Sequence, residues 1–250
     1  MACRIGSLDA TDPTESQWKE HLSVAIASGD LQFLQQMWPN LAGSIKDVIS
    51  EMRRYARSLG WTKQYIEEKF AGDPYQYARN FAPTVWGANV AELSNEPPKS
   101  AREAWAEGLL YYSPEYGCEL HAAAASVFSD KLAKARLWRA QNGFISPQLD
   151  IARSMMCHRL TEKLGKNWPI AYRRPENTSE LEEVAKDPLF CQLGHLSFLL
   201  GSVKEMQQVQ PHFRSLASIA SNLRNELSHL RPIDYSSYQS FHKAARLAVS

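Results

Sequence analysis

Apolar residues recur at three- and four-residue steps along most of this chain, and this periodicity is the strongest constraint on its fold. In the segment 211–230 the apolar positions are Phe213, Leu216, Ile219, Ala220, Leu223, Leu227 and Leu230. Such spacing places apolar side chains on one face of an α-helix. Capping boxes, in which a serine is followed three residues later by a glutamate, occur at Ser100 and Ser179. No strand–turn–strand pattern or internal repeat is evident. The sequence therefore predicts an all-α fold.

The length and composition fit a globular protein. The chain has 250 residues, of which 44% are hydrophobic, and this is enough to build the core of one large domain or two smaller ones. No window approaches the roughly 18 uninterrupted apolar residues of a membrane span, and the N-terminal segment lacks the apolar core of a signal peptide. We therefore expect a soluble cytoplasmic protein without membrane association.

A pair of prolines marks the best candidate for a domain boundary. Residues 81–100 have the composition of a connecting segment and contain Pro97-Pro98. We therefore predict a helical N-terminal region over residues 1–100 and a helical bundle over residues 101–250.

Turn residues are expected to separate two helices within this bundle. The first helix is predicted over residues 115–141 and is expected to end at Asn142-Gly143. The second is predicted to begin near Ser146-Pro147, because proline is well tolerated in the first turn of a helix.

The cysteines and the standard motifs give no indication of a metal or cofactor. The four cysteines are scattered through the sequence at Cys3, Cys118, Cys157 and Cys191. They form neither a CxxC pair nor a ladder with histidines, so a zinc site is not expected and the thiols are predicted to be reduced and mostly buried. Glycine-rich nucleotide-binding loops and HExxH are also absent from the sequence. We therefore predict no metal and no cofactor.

Positive charge is concentrated in one segment of a nearly neutral chain. The net charge of the chain is +1, but residues 131–175 contain ten Lys or Arg against two acidic residues, a net charge of +8. Such a segment can form a patch that attracts phosphates. Alternatively, its long basic side chains only solvate the exposed faces of helices.

The polar side of the segment 211–230 is unusual for an exposed helix face. Asn222, Asn225 and His229 lie along one row, and Ser221, Arg224 and Ser228 lie along the neighbouring row. Exposed helix faces usually carry several Glu and Lys, whereas this face is short and polar with one cation and one titratable imidazole. Pro232 disfavours helical geometry at Arg231, so the helix is predicted to end just past His229. This pattern indicates a functional site rather than a solvated surface.

The stretch Arg224-Asn225-Glu226-Leu227-Ser228-His229 resembles the R-x4-6-H motif of the HEPN superfamily (higher eukaryotes and prokaryotes nucleotide-binding domain). The polar residue after the arginine and the small residue before the histidine also fit that motif. The resemblance covers roughly residues 115–250, and residues 1–100 resemble no family. It implies a HEPN-like helical bundle. Many HEPN proteins are metal-independent endoribonucleases that act as dimers, in which two motifs meet across a two-fold axis.

The resemblance implies a specific chemistry for three residues. RNA supplies its own nucleophile, the 2′-hydroxyl. His229 would act as general acid or base near neutral pH, Arg224 would stabilise the charge on the phosphate, and Asn225 would orient the histidine or the phosphate. The expected products are a 2′,3′-cyclic phosphate and a 5′-hydroxyl, and no cofactor is required.

The same motif predicts a homodimer with a composite active site. An arginine and a histidine five residues apart differ by about 140° around a helix, so two copies facing each other would bring these groups together more easily than one copy. The predicted RNA-binding residues are Ser228, Arg231, Arg136, Arg139, Arg173 and Arg174.

One departure from the family pattern bears on regulation. A toxin branch of HEPN proteins has a tyrosine two residues after the histidine, which a partner enzyme modifies, whereas this chain has Arg231. Three hypotheses remain open: a toxin-like or anti-phage defence ribonuclease, a non-catalytic HEPN domain for dimerisation or nucleotide binding, and an interaction domain of a larger assembly. Because unregulated RNA cleavage would harm the host cell, a regulatory partner protein is expected for the first.

Overall fold

Helices make up almost all of the regular structure, so the all-α prediction is confirmed. The computed structural model describes residues 13–27, 29–69, 102–113, 117–172 and 178–249. The chain forms two compact units, residues 1–140 and 141–250. The division falls within a long helix, further along the chain than the predicted boundary at Pro97-Pro98, which lies outside the described residues.

The first unit contains short helices and one hairpin. Its helices are α1 (Pro13–Ile26), α2 (Leu31–Met37), α3 (Ile45–Ser58), α4 (Lys63–Lys69), α5 (Arg102–Ala106) and α6 (Ala122–Phe128), with a 3₁₀ turn at Trp38–Asn40. Helix α3 begins with a capping box, in which Ser44 Oγ accepts a hydrogen bond from the Asp47 amide at 3.2 Å and Asp47 Oδ2 accepts one from the Ser44 amide at 3.3 Å. The small, buried alanines of α6 pack against α3.

A β-hairpin occupies a region for which no strands were predicted. Strands β1 (Leu110–Ser113) and β2 (Gly117–Leu120) pair antiparallel. Tyr111 and Glu119 are register partners, and the Tyr111 hydroxyl donates a hydrogen bond to Glu119 Oε2 at 2.5 Å. The expectation of a helix from residue 115 is therefore wrong. Aromatic and apolar residues at the start of this stretch favour strands, and the cross-strand bond stabilises the hairpin.

His121 connects this hairpin to α6 and lies in a buried aromatic cluster. Its Nδ1 atom accepts a hydrogen bond from the Ala123 amide at 3.1 Å, so His121 caps the N-terminus of α6. The ring centroids of Phe33 and Trp61 lie 4.8 and 5.2 Å from that of His121. Its Nε2 atom lies 3.6 Å from Asp30 Oδ2. Burial lowers the pKa of His121 to about 4, although the Asp30 carboxylate opposes this shift.

Helix α7 (Asp130–Leu164) is continuous through the residues that were predicted to interrupt it. Asn142 and Gly143 lie within this helix, and so does Pro147. A proline in a helix removes one hydrogen bond and crowds the carbonyl four residues earlier, which here belongs to the exposed Gly143. Packing compensates for this loss, because buried residues recur along α7 at Leu137, Gln141, Ile145, Leu149, Ala152, Met156 and Leu160.

The second unit is built around a helix that packs against two others. Besides residues 141–164 of α7, it contains α8 (Trp168–Tyr172), α9 (Thr178–Lys186), a 3₁₀ turn (Pro188–Phe190), α10 (Leu193–Ser202), α11 (Lys204–Val209), α12 (Phe213–Ser228) and α13 (Tyr235–Val249). Helix α12 packs against both α10 and α13. No helix in the described part of the chain is both long enough and apolar enough to cross a membrane.

Candidate functional site

The two faces of α12 divide largely as its sequence predicts. Its buried residues are Phe213, Leu216, Ala217, Ala220, Leu223 and Leu227. The polar side is open to solvent, with Asn222, Arg224, Asn225, Ser228 and His229 all exposed. Two residues of the predicted apolar stripe depart from it: Ile219 is half-buried and Leu230 is 60% exposed.

Helix α12 ends in a Schellman motif, and His229 is its C-cap residue. The Leu230 amide donates to the Leu227 carbonyl at 3.1 Å, and the Arg231 amide donates to the Glu226 carbonyl at 3.0 Å. Leu230 has a φ of 57°, a left-handed conformation that usually belongs to glycine at this position. The prediction that the helix ends just past His229 is therefore confirmed.

A side chain of α7 fixes the segment that follows this helix end. Gln141 is buried, and its amide forms two hydrogen bonds with the backbone of Ile233. Gln141 Nε2 donates to the Ile233 carbonyl at 2.9 Å, while Gln141 Oε1 accepts from the Ile233 amide at 2.7 Å. These bonds hold the segment just after His229 against α7. The backbone is therefore fixed on both sides of His229, by the last turn of α12 before it and by Gln141 after it.

The predicted catalytic side chains have no bonding partners within the described residues. The Arg224 guanidinium, the Asn225 amide and the His229 imidazole make no hydrogen bond or ion pair there. The Ser228 hydroxyl, by contrast, donates to the Arg224 carbonyl at 2.7 Å. Arg231 forms an ion pair with Glu226 at 3.5 Å, and such an exposed pair contributes little to stability. Arg224, Asn225 and His229 are therefore available to an external ligand.

Arg224 lines a cleft of about 240 Å³ in the second unit. The cleft is formed by α7, the start of α10 and α12, and its lining residues are Ser146, Leu149, Asp150, Arg153, Gln192, Leu193 and Arg224. His229 is not among them. This arrangement agrees with the divergence of Arg224 and His229 around the helix.

The second arginine of the cleft, Arg153, is held in place by other residues. Its Nε and Nη2 atoms donate to Asp150 Oδ1 at 2.9 and 2.7 Å. Its Nη1 atom donates to the Leu189 carbonyl and, at 3.4 Å, to the Cys191 carbonyl. Arg153 thus connects α7 to the segment before α10. The guanidinium of Arg224, by contrast, donates no hydrogen bond to any of the described residues.

Sequence reasoning did not identify Asp150, Arg153 or Gln192 as site residues. The spacing of Asp150 and Arg153 predicts an ion pair on a helix, but such pairs are common on helix surfaces. Gln192 comes from a distant part of the sequence, and no local pattern connects it to Arg224. Only the packing of α10 against α12 brings Gln192 and Arg224 together.

Two of the predicted RNA-binding arginines belong to a buried network in the first unit. Arg136 is 2% exposed, donates to the Leu120 carbonyl and lies 3.7 Å from the carboxylate of Glu119, which is fully buried. Arg139 makes two hydrogen bonds to Glu119, at 2.8 and 2.9 Å. The buried position of Arg136 does not support an RNA contact. Arg139 is half-buried and engaged by Glu119, and its RNA contact stays a prediction. The other two, Arg173 and Arg174, lie outside the described residues.

Two of the cysteines form a buried pair of free thiols near the cleft. Cys157 and Cys191 are both buried and reduced, as predicted. The Cys191 thiol donates a hydrogen bond to the Gln192 carbonyl at 3.9 Å. The interaction between the two thiols lowers the pKa of Cys157 and raises that of Cys191. No cluster of three or more His, Cys, Asp or Glu side chains that could bind a metal ion occurs among the described residues.

The chain was compared with protein-family models, with curated proteins and with solved structures, and none of the three comparisons gave a match.

Proposed function

We propose that this protein is a metal-independent endoribonuclease of the HEPN type that acts as a toxin or an anti-phage defence effector. The observation that carries the proposal is that Arg224 and His229, the two defining residues of the motif, are both exposed at the end of α12 and have no partner within the described residues. A surface arginine and histidine with a purely structural role would be expected to bond to neighbouring groups. Arg224 is instead available to bind a phosphate, and His229 is available to accept or donate a proton.

The reaction would proceed by attack of the RNA 2′-oxygen on the adjacent phosphorus. One His229 imidazole would accept the proton of the 2′-hydroxyl as the new P–O bond forms. A second imidazole would donate a proton to the 5′-oxygen as the P–O5′ bond breaks. Arg224 would stabilise the negative charge that develops on the phosphate oxygens. The products are a 2′,3′-cyclic phosphate and a 5′-hydroxyl, with no net oxidation or reduction.

Two copies of the chain would supply the two imidazoles in this proposal. Arg224 faces a cleft that His229 does not line, so one copy places the two groups in different directions. A two-fold symmetric dimer would place the His229 of each copy beside the Arg224 of the other.

A second candidate is a non-catalytic HEPN or interaction domain, for which the exposure of Leu230 next to His229 is the supporting observation. An exposed leucine beside the motif offers apolar surface to a protein partner. In this case the end of α12 would bind a protein partner, and Arg224 would contribute a charge contact rather than catalysis.

The test is RNA cleavage in the presence of EDTA. Wild type, Arg224→Ala and His229→Ala would be incubated with end-labelled single-stranded RNA and with tRNA. Arg214→Ala and His212→Ala are matched controls, because both residues are exposed and lie at the other end of the same helix. We expect cleavage by wild type and by both controls, with cyclic phosphate ends, and at least a hundredfold loss in the two motif variants.

Equal cleavage by all five proteins would assign the activity to another site or to a contaminant. The absence of cleavage by any of them would support the interaction domain. Thermal unfolding should be unchanged in His229→Ala, since the side chain is exposed, so a loss of activity would not reflect unfolding.

A further inference from the structure

The cleft beside Arg224 has a composition that binding of RNA backbone alone does not explain. Besides Arg224 it contains the carboxylate of Asp150, the amide of Gln192 and the buried leucines Leu149 and Leu193. A carboxylate near a phosphate site weakens phosphate binding unless it accepts a hydrogen bond from the ligand. Asp150 pairs with Arg153 through Oδ1, and its carboxylate beside Arg224 favours a ligand that brings hydrogen-bond donors.

Asp150 has one carboxylate oxygen to offer such a ligand. Its Oδ1 atom accepts both hydrogen bonds from Arg153. Its Oδ2 atom accepts none from the described residues. The two hydrogen bonds from Arg153 orient the carboxylate, so Oδ2 is an oriented acceptor.

Gln192 adds a second uncommitted polar group to the cleft. It occupies the N-cap position of α10, yet its side chain makes no capping hydrogen bond. The amide can both donate and accept, which is the pattern that reads a base edge carrying an amino group beside a ring nitrogen. Leu149 and Leu193 are almost fully buried and form the apolar floor of the cleft.

The size of the cleft limits the ligand to about one ring system. Its volume of about 240 Å³ falls below the range of about 300–1,000 Å³ that is typical of sites for drug-sized ligands. A single nucleobase fits this space, with its phosphate outside it at Arg224.

We propose that this cleft is a nucleobase subsite that selects a base with an exocyclic amino group, which donates to Asp150 Oδ2. The inference rests on the proposed function, because it places the selected base next to the phosphate that Arg224 contacts. It goes beyond that function by predicting a sequence preference. Uracil is disfavoured because it presents carbonyl oxygens where cytosine and adenine present an amino group.

The test measures binding separately from cleavage. Short fluorescent oligocytidine and oligouridine strands with 2′-fluoro sugars cannot be cleaved, because they lack the 2′-hydroxyl nucleophile. Their affinities for the full-length wild-type protein would be measured by fluorescence anisotropy at slightly alkaline pH, where cytosine is neutral. We expect about tenfold tighter binding of oligocytidine, as one well-placed base contact provides.

Two variants identify the residue responsible for the preference. In Asp150→Asn the two strands should bind equally. Glu162→Gln is the matched control, because Glu162 is exposed on the same helix, forms the same type of ion pair with Arg159 at 3.3 Å, and does not line the cleft. It should keep the tenfold preference while losing the same charge.

Equal binding of the two strands by wild type, no binding of either, or a preference that survives in Asp150→Asn would overturn the subsite. Failure of the proposed function gives a different result. If the protein cleaves RNA but shows no base preference, the ribonuclease proposal holds and the nucleobase subsite is refuted. If it prefers oligocytidine but cleaves no RNA, the subsite holds and the ribonuclease proposal is refuted.

Discussion

Replacing His121 with asparagine should make the first unit less sensitive to acid. The pKa of His121 is about 4 in the folded protein, against about 6.5 in an unfolded chain. Between these two pH values the histidine is protonated in the unfolded state but neutral in the folded state. The free energy of unfolding therefore falls as the pH drops from about 6.5 towards 4. Above about pH 6.5 the histidine is neutral in both states, and its full contribution to the free energy of unfolding is present.

The size of the effect follows from these two pKa values. At pH 5 the unfolded histidine is almost fully protonated and the folded one almost fully neutral, so the free energy of unfolding should fall by about 2 kcal/mol between pH 7 and pH 5. Asparagine at position 121 does not titrate, yet its side-chain oxygen can still accept the hydrogen bond from the Ala123 amide that caps α6. The variant thus removes the titrating group at position 121 and keeps the hydrogen bond that caps α6.

The assay is urea unfolding of the full-length chain at both pH values. Wild type should lose about 2 kcal/mol more than His121→Asn over this interval, and the other histidines cancel in the comparison. An NMR titration of the His121 ring gives an independent measurement, in which its resonances should not shift between pH 7 and pH 5. Parallel losses of stability in the two proteins, or a ring that titrates near pH 6.5, would refute the reasoning.

Three further predictions concern the candidate site and the buried polar groups. Adding an excess of His229→Ala to wild type should suppress the RNA cleavage, since a mixed dimer holds only one of the two imidazoles that the proposed reaction requires; unchanged cleavage would indicate a site within one chain. Gln141→Leu should lower the free energy of unfolding by about 3 kcal/mol in urea titrations, because it removes both hydrogen bonds that hold the segment after α12, whereas Gln239→Leu, at an exposed position of α13, should change it little. Glu119→Ala should cost about 3–5 kcal/mol by the same assay, because the buried guanidinium of Arg136 and the half-buried one of Arg139 lose their carboxylate; a near-neutral effect would contradict the buried network.

Local sequence patterns predicted α12 and its end well, because the information lies within a few neighbouring residues. The apolar spacing identified the buried face, and Pro232 identified the helix end. The exposure of Arg224 and His229 followed from the same periodicity. Leu230 departs from this pattern because the chain reverses at the Schellman motif and carries its side chain away from the stripe.

Features that depend on packing could not be read from such patterns. Pro147 looks like a helix start in sequence, but the buried stripe of α7 continues through it. Counting charges over residues 131–175 treated every arginine as exposed, whereas Arg136 is in the interior. The cleft was missed for a related reason, since Gln192 and Arg224 come from helices whose packing no local spacing encodes.

The paired hydrogen bonds between Gln141 and Ile233 have a consequence for the motion of the candidate site. Amides in connecting segments usually exchange with solvent hydrogen through small local openings. The Ile233 amide is bonded to a side chain of α7 instead, so its exchange requires this segment to separate from a core helix. The backbone next to His229 should therefore be among the slowly exchanging parts of the second unit, and any ligand would meet a preformed surface there.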